Sequence, residues 1–317
     1  MPAFQHLAQA VIVTVILYGL ALWLRRRGVL AESHALILSH LVTDLFLPAT
    51  VFVSLAGQSV QLRQLESALM MLGIQLGAIA LAWSVSAALR FPRPQQGAIV
   101  FCSAFGSSTF LGYALIKAMY PDNPEAMTEA VLISEIGVGY LLFILGPVLA
   151  AYFGAQAQNA RSRWAASLDF FKSPVFFALV IGLLWGILRL PGPENAFLAP
   201  VFQVCQTLSA ALTPVAILTV GLLFKLPSVR GILVPLGIVV AINLLLQPLA
   251  AGLLASVFGF PDLWRDILVL LTSMPPAVLG VVFLKRYGAD AALASALLLA
   301  ATIISCGTVL IVFALVG

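Results

Sequence analysis

Ten long apolar segments divide this sequence and restrict what the chain can fold into. Each has roughly the 20 residues that an α-helix needs to cross the hydrocarbon core of a bilayer. Because lipid offers the backbone no hydrogen-bonding partner, each segment is expected to be helical. The sequence therefore predicts an all-α membrane protein with ten transmembrane helices. The segments span residues 7–24, 34–56, 67–89, 95–120, 127–153, 173–189, 197–224, 231–258, 263–287 and 290–316.

Composition excludes the soluble classes of protein. Of the 317 residues, 62% are hydrophobic and 9% are charged, whereas a soluble domain has about 25% charged residues. We therefore exclude a soluble enzyme and a disordered chain, and we expect membrane lipid to surround the protein. The basic residues form no continuous face, so no nucleic-acid partner is expected. The three cysteines lie in apolar runs without metal-ligand spacing, so neither a metal nor another cofactor is expected.

The positive charges are distributed unevenly between the two sides of the membrane. With ten helices and the N-terminus outside, four of the 16 Lys and Arg residues fall on the outer side and the other twelve on the inner side. An excess of positive charge in inner loops is the usual pattern in membrane proteins. The charges therefore favour both the helix count and the orientation. The outer four are Arg63, Lys117, Arg189 and Arg265.

The two halves of the sequence match at a nearly constant offset. Because each half contains five helices, an odd number, the second half must enter the membrane inverted. This predicts two inverted five-helix repeats, residues 1–156 and residues 157–317, which is a common plan of secondary transporters. The matched pairs, each 168 positions apart, include Gly112 with Gly280, Lys117 with Lys285, and Gln75 with Asn243.

The fourth and ninth helices are interrupted near the middle of the membrane. Proline lacks an N–H and clashes with the preceding turn, and glycine weakens a helix. Freed N–H groups and the N-termini of half-helices are tolerated at this depth where they bind a solute, especially an anion. We predict that both interruptions bind substrate; alternatively, they only permit close packing and kinks. The predicted residues are Gly106, Ser107, Ser108, Thr109, Pro275 and Pro276.

Two acidic residues fall well inside apolar segments. Asp44 has His40 four positions before it, so both lie on one face of the helix. A desolvated carboxylate beside an imidazole is suited to carrying a proton. Asp44, His40 and Glu135 are therefore candidates for proton coupling, since ionisable groups within membranes are usually functional. The alternative for each acid is a satisfied structural contact.

Three amides also lie at depth. Gln75 and Asn243 are the pair matched by the repeat, and they are predicted either to hydrogen-bond a substrate or to bridge helices. For Gln247, the bridging role is the favoured interpretation.

Three stretches of this sequence resemble one known family. They are residues 27–30 followed by 41–49, residues 105–113, and residues 273–276 followed by 287–290, and the overall resemblance covers nearly the whole chain. The chain is similar to the auxin efflux carrier family, whose bacterial members include proteins described as malonate transporters. The resemblance implies a scaffold domain, a transport domain, and a crossing of broken helices four and nine that holds the substrate.

The fourth-helix motif departs from the family pattern. Ser107 stands where the family usually has Asn, Ser108 at its Thr, Thr109 at its Gly, and Ala114 at its Pro. Hydroxyl groups can still donate hydrogen bonds to a carboxylate. The resemblance therefore implies transport and the fold more strongly than a particular substrate.

These observations predict a secondary active transporter of a small organic anion, such as an auxin-like or malonate-like carboxylate. Transport would proceed by alternating access in a bacterial inner membrane, with proton coupling as one option. One alternative is a sodium-coupled symporter of similar fold, and the other is a membrane receptor that does not transport. The oligomeric state is left open, with a homodimer among the options.

Overall fold

Helices form nearly all of the regular structure. The computed structural model describes residues 2–31, 33–56, 63–154, 169–222 and 231–316. Among these residues the predicted all-α class is confirmed, because their only strand-like feature is one isolated bridge. The α-helices are α1 Pro2–Arg26, α2 His34–Leu41, α3 Leu47–Ala56, α4 Gln64–Ala88, α5 Arg93–Ala104, α6 Tyr113–Met119, α7 Pro124–Val131, α8 Tyr140–Phe153, α9 Pro174–Ile187, α10 Ala199–Leu222, α11 Leu233–Val239, α12 Gln247–Val257, α13 Asp262–Thr272, α14 Val278–Tyr287 and α15 Ala291–Val316.

Within the described ranges, seven helices are long and apolar enough to cross a membrane. Helices α5, α9 and α13 are shorter, with 12, 14 and 11 residues. A 12-residue helix covers roughly 18 Å of the roughly 30 Å hydrocarbon core, so a helix of this length does not cross the core by itself. The full count of ten remains a prediction. The seven spans are Leu7–Arg26, Ile37–Ala56, Gln64–Ala88, Pro124–Phe153, Ala199–Thr219, Leu233–Val257 and Ala291–Val316.

Four of the charges that the sequence assigns to the inner side lie beyond the part of the chain that the structure describes. Arg161, Arg163, Lys225 and Arg230 lie outside the described residues. The orientation with the N-terminus outside therefore remains a prediction.

Wider π-helical turns interrupt several of the long helices. Two of them, Val42–Phe46 and Val240–Leu246, end two residues before Pro48 and Pro248. A proline cannot donate to the carbonyl four residues earlier, and in both cases that carbonyl lies inside the π turn. The local sequence therefore explains where these two turns occur.

The chain divides into two compact units. Unit 1 comprises Met1–Leu65, Thr109–Leu132 and Phe171–Phe224, and unit 2 comprises Glu66–Ser108, Ile133–Phe170 and Lys225–Gly317. Each unit takes segments from both halves of the sequence. The two units therefore do not correspond to the two predicted repeats, residues 1–156 and 157–317, which are consecutive in the sequence. The repeats remain a prediction.

Aromatic packing holds unit 1 together. The Phe52 ring lies 5.8 Å from Trp185 and 5.6 Å from Phe202, measured between ring centroids. Gly182 allows α9 to approach α3 closely, because a Cβ atom there would lie 3.1 Å from the Leu55 Cβ. Close packing of this kind is what joins helices in lipid, where apolar burial adds little.

Unit 2 has its own apolar core. The Trp83 ring packs against Tyr152 and Phe153 at centroid distances of 5.1 and 5.4 Å. Gly97 brings α5 against α8, because a Cβ atom at this position would lie 2.7 Å from the Phe153 Cβ. This core supports α5, whose end contributes to the candidate site.

Candidate functional site

Two interrupted helices meet in unit 2. The backbone leaves the helical conformation at residues 105–107 and again at residues 273–277, and Gly106 and Pro276 pair as a short antiparallel bridge. The Ser107 N–H donates to the Pro275 carbonyl at 2.7 Å, and the Ala277 N–H donates to the Phe105 carbonyl at 2.8 Å. We call this pairing the crossover. Both interruptions occur at the residues that the sequence predicts.

Proline and glycine determine how the crossover is built. Pro275 and Pro276 have no N–H, so both bridging hydrogen bonds take their donors from other residues. Gly106 permits the close approach, since a Cβ atom there would lie 3.0 Å from the Met274 carbonyl oxygen. Within the described residues, the Gly106 N–H donates to no acceptor. The crossover therefore leaves a buried backbone donor unused.

Helix ends surround the crossover. Helices α5 and α13 end at Ala104 and Thr272, while α14 begins at Val278. No side chain caps the first turn of α14. The first N–H groups of a helix carry partial positive charge and need acceptors, so this end favours a negatively charged or polar group.

The crossover side chains are enclosed by protein. Gly106, Ser107, Ser108, Pro275 and Pro276 are all buried. The hydroxyls of Ser107 and Ser108 make no side-chain hydrogen bond to any described residue. These hydroxyls can therefore donate to a ligand.

Thr109 is less enclosed. It is partly exposed, and it begins the segment Thr109–Leu132 of unit 1.

One amide bonds directly to the helix that leads into the crossover. The Gln247 side chain donates through Nε2 to the Ser103 carbonyl at 2.6 Å, joining α12 to the last turn of α5. This is the bridging role predicted for Gln247. Sequence reasoning missed Ser103, although a serine just before the first interruption was a usable signal. The Ser103 hydroxyl itself is buried and has no partner among the described residues.

The repeat-matched amides are buried without partners. Gln75 is 0% exposed and Asn243 is 1% exposed. Both polar atoms of each side chain lack a hydrogen-bond partner in the described part of the chain. Each such group costs about 1–3 kcal/mol of desolvation, so four of them in one unit require an explanation. Asn243 lies one turn before Gln247, whereas no hydrogen bond joins Gln75 and Asn243.

Every π turn in the described ranges contains a predicted site residue. Asp44 lies in Val42–Phe46, Ser108 begins Ser108–Gly112, Glu135 lies in Leu132–Gly139, and Asn243 lies in Val240–Leu246. Single π turns occur often at functional sites, because they redirect side chains and free backbone groups. No periodicity in the sequence indicated these turns.

The predicted pair of His40 and Asp44 forms in unit 1. His40 Nδ1 lies 3.4 Å from Asp44 Oδ2, and Thr43 Oγ1 lies 3.2 Å from Asp44 Oδ1. The His40 and Asp44 side chains are 67% and 58% exposed. Any desolvation of this pair must therefore come from surroundings outside the chain.

Glu135 belongs to unit 2 and is buried. The glycine at position 139 leaves room for its carboxylate, since a Cβ atom there would lie 3.4 Å from Glu135 Oε2. The structure thus places the two candidate acids in different units. No group of three His, Cys, Asp or Glu side chains suited to a metal occurs within the described ranges.

Long apolar helices together with a buried crossing of two broken helices define a multi-pass membrane transporter. A model of the family described as membrane transport protein matches residues 6–313. The chain belongs to this family, as its resemblance to the auxin efflux carriers predicts.

Relatives with transporter names extend over much of the chain. An "Uncharacterized transporter" of Methanothermobacter thermautotrophicus is 25% identical over 95% of this chain and 96% of its own. The Escherichia coli protein "Uncharacterized transporter YfdV" is 24% identical over 83% of this chain and 82% of its own. A "Putative malonate transporter" of Rhizobium meliloti is 24% identical over 66% of this chain and 63% of its own.

Proposed function

We propose that this protein is a secondary transporter of small organic anions that binds its solute at the crossover in unit 2. The observation that carries the proposal is the bridge between Gly106 and Pro276, which leaves the buried Gly106 N–H without an acceptor among the described residues. An unsatisfied backbone group costs roughly several kcal/mol in a membrane. A bound solute satisfies it.

The chemistry of the crossover favours an anion. Donors predominate around it: the Gly106 N–H, the hydroxyls of Ser107 and Ser108, and the uncapped N-terminus of α14. Residues 105–109 and 273–277 contain no acidic side chain. A carboxylate accepts several hydrogen bonds at once, and charge-assisted bonds are the stronger kind. The malonate transporter name of one relative supports the same class of solute.

The unpartnered amides fit the same proposal. Asn243 lies one turn before the Gln247 side chain that binds the Ser103 carbonyl. Its amide can donate to a carboxylate or accept from a protonated acid, and Gln75 can do the same. We assign both amides to the solute site. Bound solute would offset the cost of burying them.

For proton coupling we propose the exposed pair in unit 1. Imidazole and carboxylate groups can both bind and release a proton, and here they lie next to each other. Alternating access would then link protonation of Asp44 and His40 to movement of one compact unit, as in other transporters built from repeats. We place the protein in a bacterial inner membrane.

Uptake into proteoliposomes tests this proposal. Radiolabelled malonate and an aromatic acid are offered with a proton gradient, a sodium gradient or neither. Ser107→Leu and Pro276→Leu should lower uptake at least tenfold. The first removes a hydroxyl donor and fills the crossover, and the second removes a proline that interrupts the helix. Ser84→Leu is the matched control, since Ser84 is exposed on α4. Unchanged uptake in both crossover variants would overturn the site assignment, and a response to sodium alone would exclude the proposed proton coupling.

A further inference from the structure

A lysine in unit 1 belongs to a polar cluster that the crossover does not involve. Lys117 lies in the last turn of α6 and is half-buried. Its Nζ atom donates to the Ser209 carbonyl at 2.8 Å and to the Ser209 hydroxyl at 2.7 Å. The Ser209 and Thr50 hydroxyl oxygens are 3.0 Å apart. The cluster therefore joins three helices, α3, α6 and α10.

The lysine fixes the direction of the hydrogen bonds in this cluster. An ammonium group only donates, so the Ser209 hydroxyl oxygen accepts from it. Thr50 Oγ1 lies 2.8 Å from the Phe46 carbonyl, which can only accept. With one proton on each hydroxyl, Ser209 then donates to Thr50 and Thr50 donates to Phe46. Every acceptor along this chain of hydrogen bonds is neutral.

The ammonium charge has no counter-charge nearby. Within the described ranges, no carboxylate lies within 4 Å of Lys117, and its third N–H has no acceptor. An ionised group within a membrane is costly unless it is paired or reaches water. Because the side chain is half-buried rather than enclosed, a small ion can reach it.

A second unused donor lies on the same helix face as Ser209. Thr213 follows Ser209 by four residues on α10, so their side chains point to the same side of the helix. The Thr213 hydroxyl oxygen is buried and has no partner among the residues that the structure describes. The face that bonds to Lys117 thus offers a further donor.

We propose that Lys117 and the adjoining face of α10 form a binding site for a small singly charged anion in unit 1. The ammonium excludes cations, and a single lysine is too little charge for a polyphosphate. A halide or a carboxylate group satisfies the third N–H and balances the charge. This site is separate from the proposed solute site and does not depend on it.

The sequence repeat supplies a matched control. In the predicted repeat Lys285 matches Lys117, and it also lies in the last turn of its helix, α14. Lys285 is exposed. A substitution there removes the same charge without touching the cluster.

The test measures the unfolding midpoint of the purified full-length protein at constant ionic strength. Chloride or acetate replaces isethionate, a bulky sulfonate, in separate titrations. The wild type and Lys285→Met should gain several degrees in chloride, acetate or both, since a ligand of the folded state stabilises it. Lys117→Met should lose this gain. A response to chloride alone identifies a halide site and one to acetate alone a carboxylate site. No response in the wild type, or an undiminished response in Lys117→Met, would overturn the proposal.

Two further variants keep the proposal testable if Lys117→Met does not fold. Ser209→Ala removes one acceptor from the ammonium, so the anion concentration for half of the shift should fall at least twofold. Lys117→Arg keeps the charge and should keep the response. If the Ser209→Ala variant needs the same or a higher anion concentration for half of the shift, the proposal is wrong. The acetate titrations are repeated in Ser107→Leu, in which the crossover no longer contributes to carboxylate binding. This variant should keep the full chloride response and any acetate response that depends on Lys117, so failure of the crossover assignment and failure of this site can be told apart.

Discussion

The Ser107 N–H donates to the Pro275 carbonyl at 2.7 Å, joining two helices at the point where neither continues. Position 275 can take part only as an acceptor, because proline has no N–H. Pro275, which interrupts the ninth apolar segment, therefore also accepts the hydrogen bond that stabilises the interruption of the fourth segment. This relationship makes the crossover an integral part of the fold of unit 2.

Gly106 should tolerate no side chain. In Gly106→Ala the new Cβ atom would lie 3.0 Å from the Met274 carbonyl oxygen, so the two segments must move apart. We expect a loss of about 1–2 kcal/mol in the free energy of unfolding, together with reduced uptake. The control is Gly73→Ala, because nothing lies within 4 Å of a Cβ atom at that position. Equal behaviour of the two variants in denaturation and uptake assays would contradict this prediction.

Gln247→Leu should weaken the support of the crossover. The substitution removes the donor to the Ser103 carbonyl and leaves that buried acceptor with one bond fewer. We expect about 1–2 kcal/mol less stability and slower uptake in proteoliposomes. Gln203→Leu is the matched control, since Gln203 is exposed on α10. A drop of the same size in the control would show that the loss has no connection with the hydrogen bond.

Asn243→Leu distinguishes a solute ligand from a structural amide. The Asn243 amide has no partner among the described residues, so replacing it with an apolar side chain should leave stability unchanged or raise it by about 1 kcal/mol. Uptake should show a KM raised at least fivefold. Gln75→Leu is expected to behave alike. If stability falls while KM stays constant, the amide has a structural role and the assignment is wrong.

Asp44→Asn should abolish proton coupling while leaving solute binding intact. The variant keeps the size of the side chain and its bond to Thr43, but it cannot carry the charge that faces His40. We expect uptake to become independent of the proton gradient, while solute still raises the unfolding midpoint as in the wild type. Thr43→Val serves as the control and should retain the gradient dependence. Full gradient dependence in Asp44→Asn would remove this pair from the mechanism.

Local chemistry explains which parts of the fold could be predicted from the sequence. The interruptions at Gly106 and at Pro275 were predictable because glycine and proline act on their own turn of backbone. The spacing of His40 and Asp44 likewise fixed their pairing. Their exposure was not predictable, because it depends on which helices pack against α2 and the following π turn.

Features that depend on contacts between distant segments could not be predicted from the sequence. The contact between Lys117 and Ser209 joins residues 92 positions apart, and no local pattern indicates it. No proline directly follows the π turn that contains Glu135, and the apolar pattern of the sequence continues through it. This turn therefore could not be predicted. The bridging role of Gln247 was predicted, whereas its partner Ser103 was not, because an amide at depth shows a need for a partner without identifying it.

The most direct test of the central claim is an electron cryo-microscopy map of the purified protein with the organic acid that gives the fastest uptake. We expect solute density between residues 105–108 and residues 273–277, within hydrogen-bonding distance of Gly106 and Ser107. Density for the solute at another place in the molecule, with residues 105–108 and 273–277 unoccupied, would contradict the assignment of the solute site.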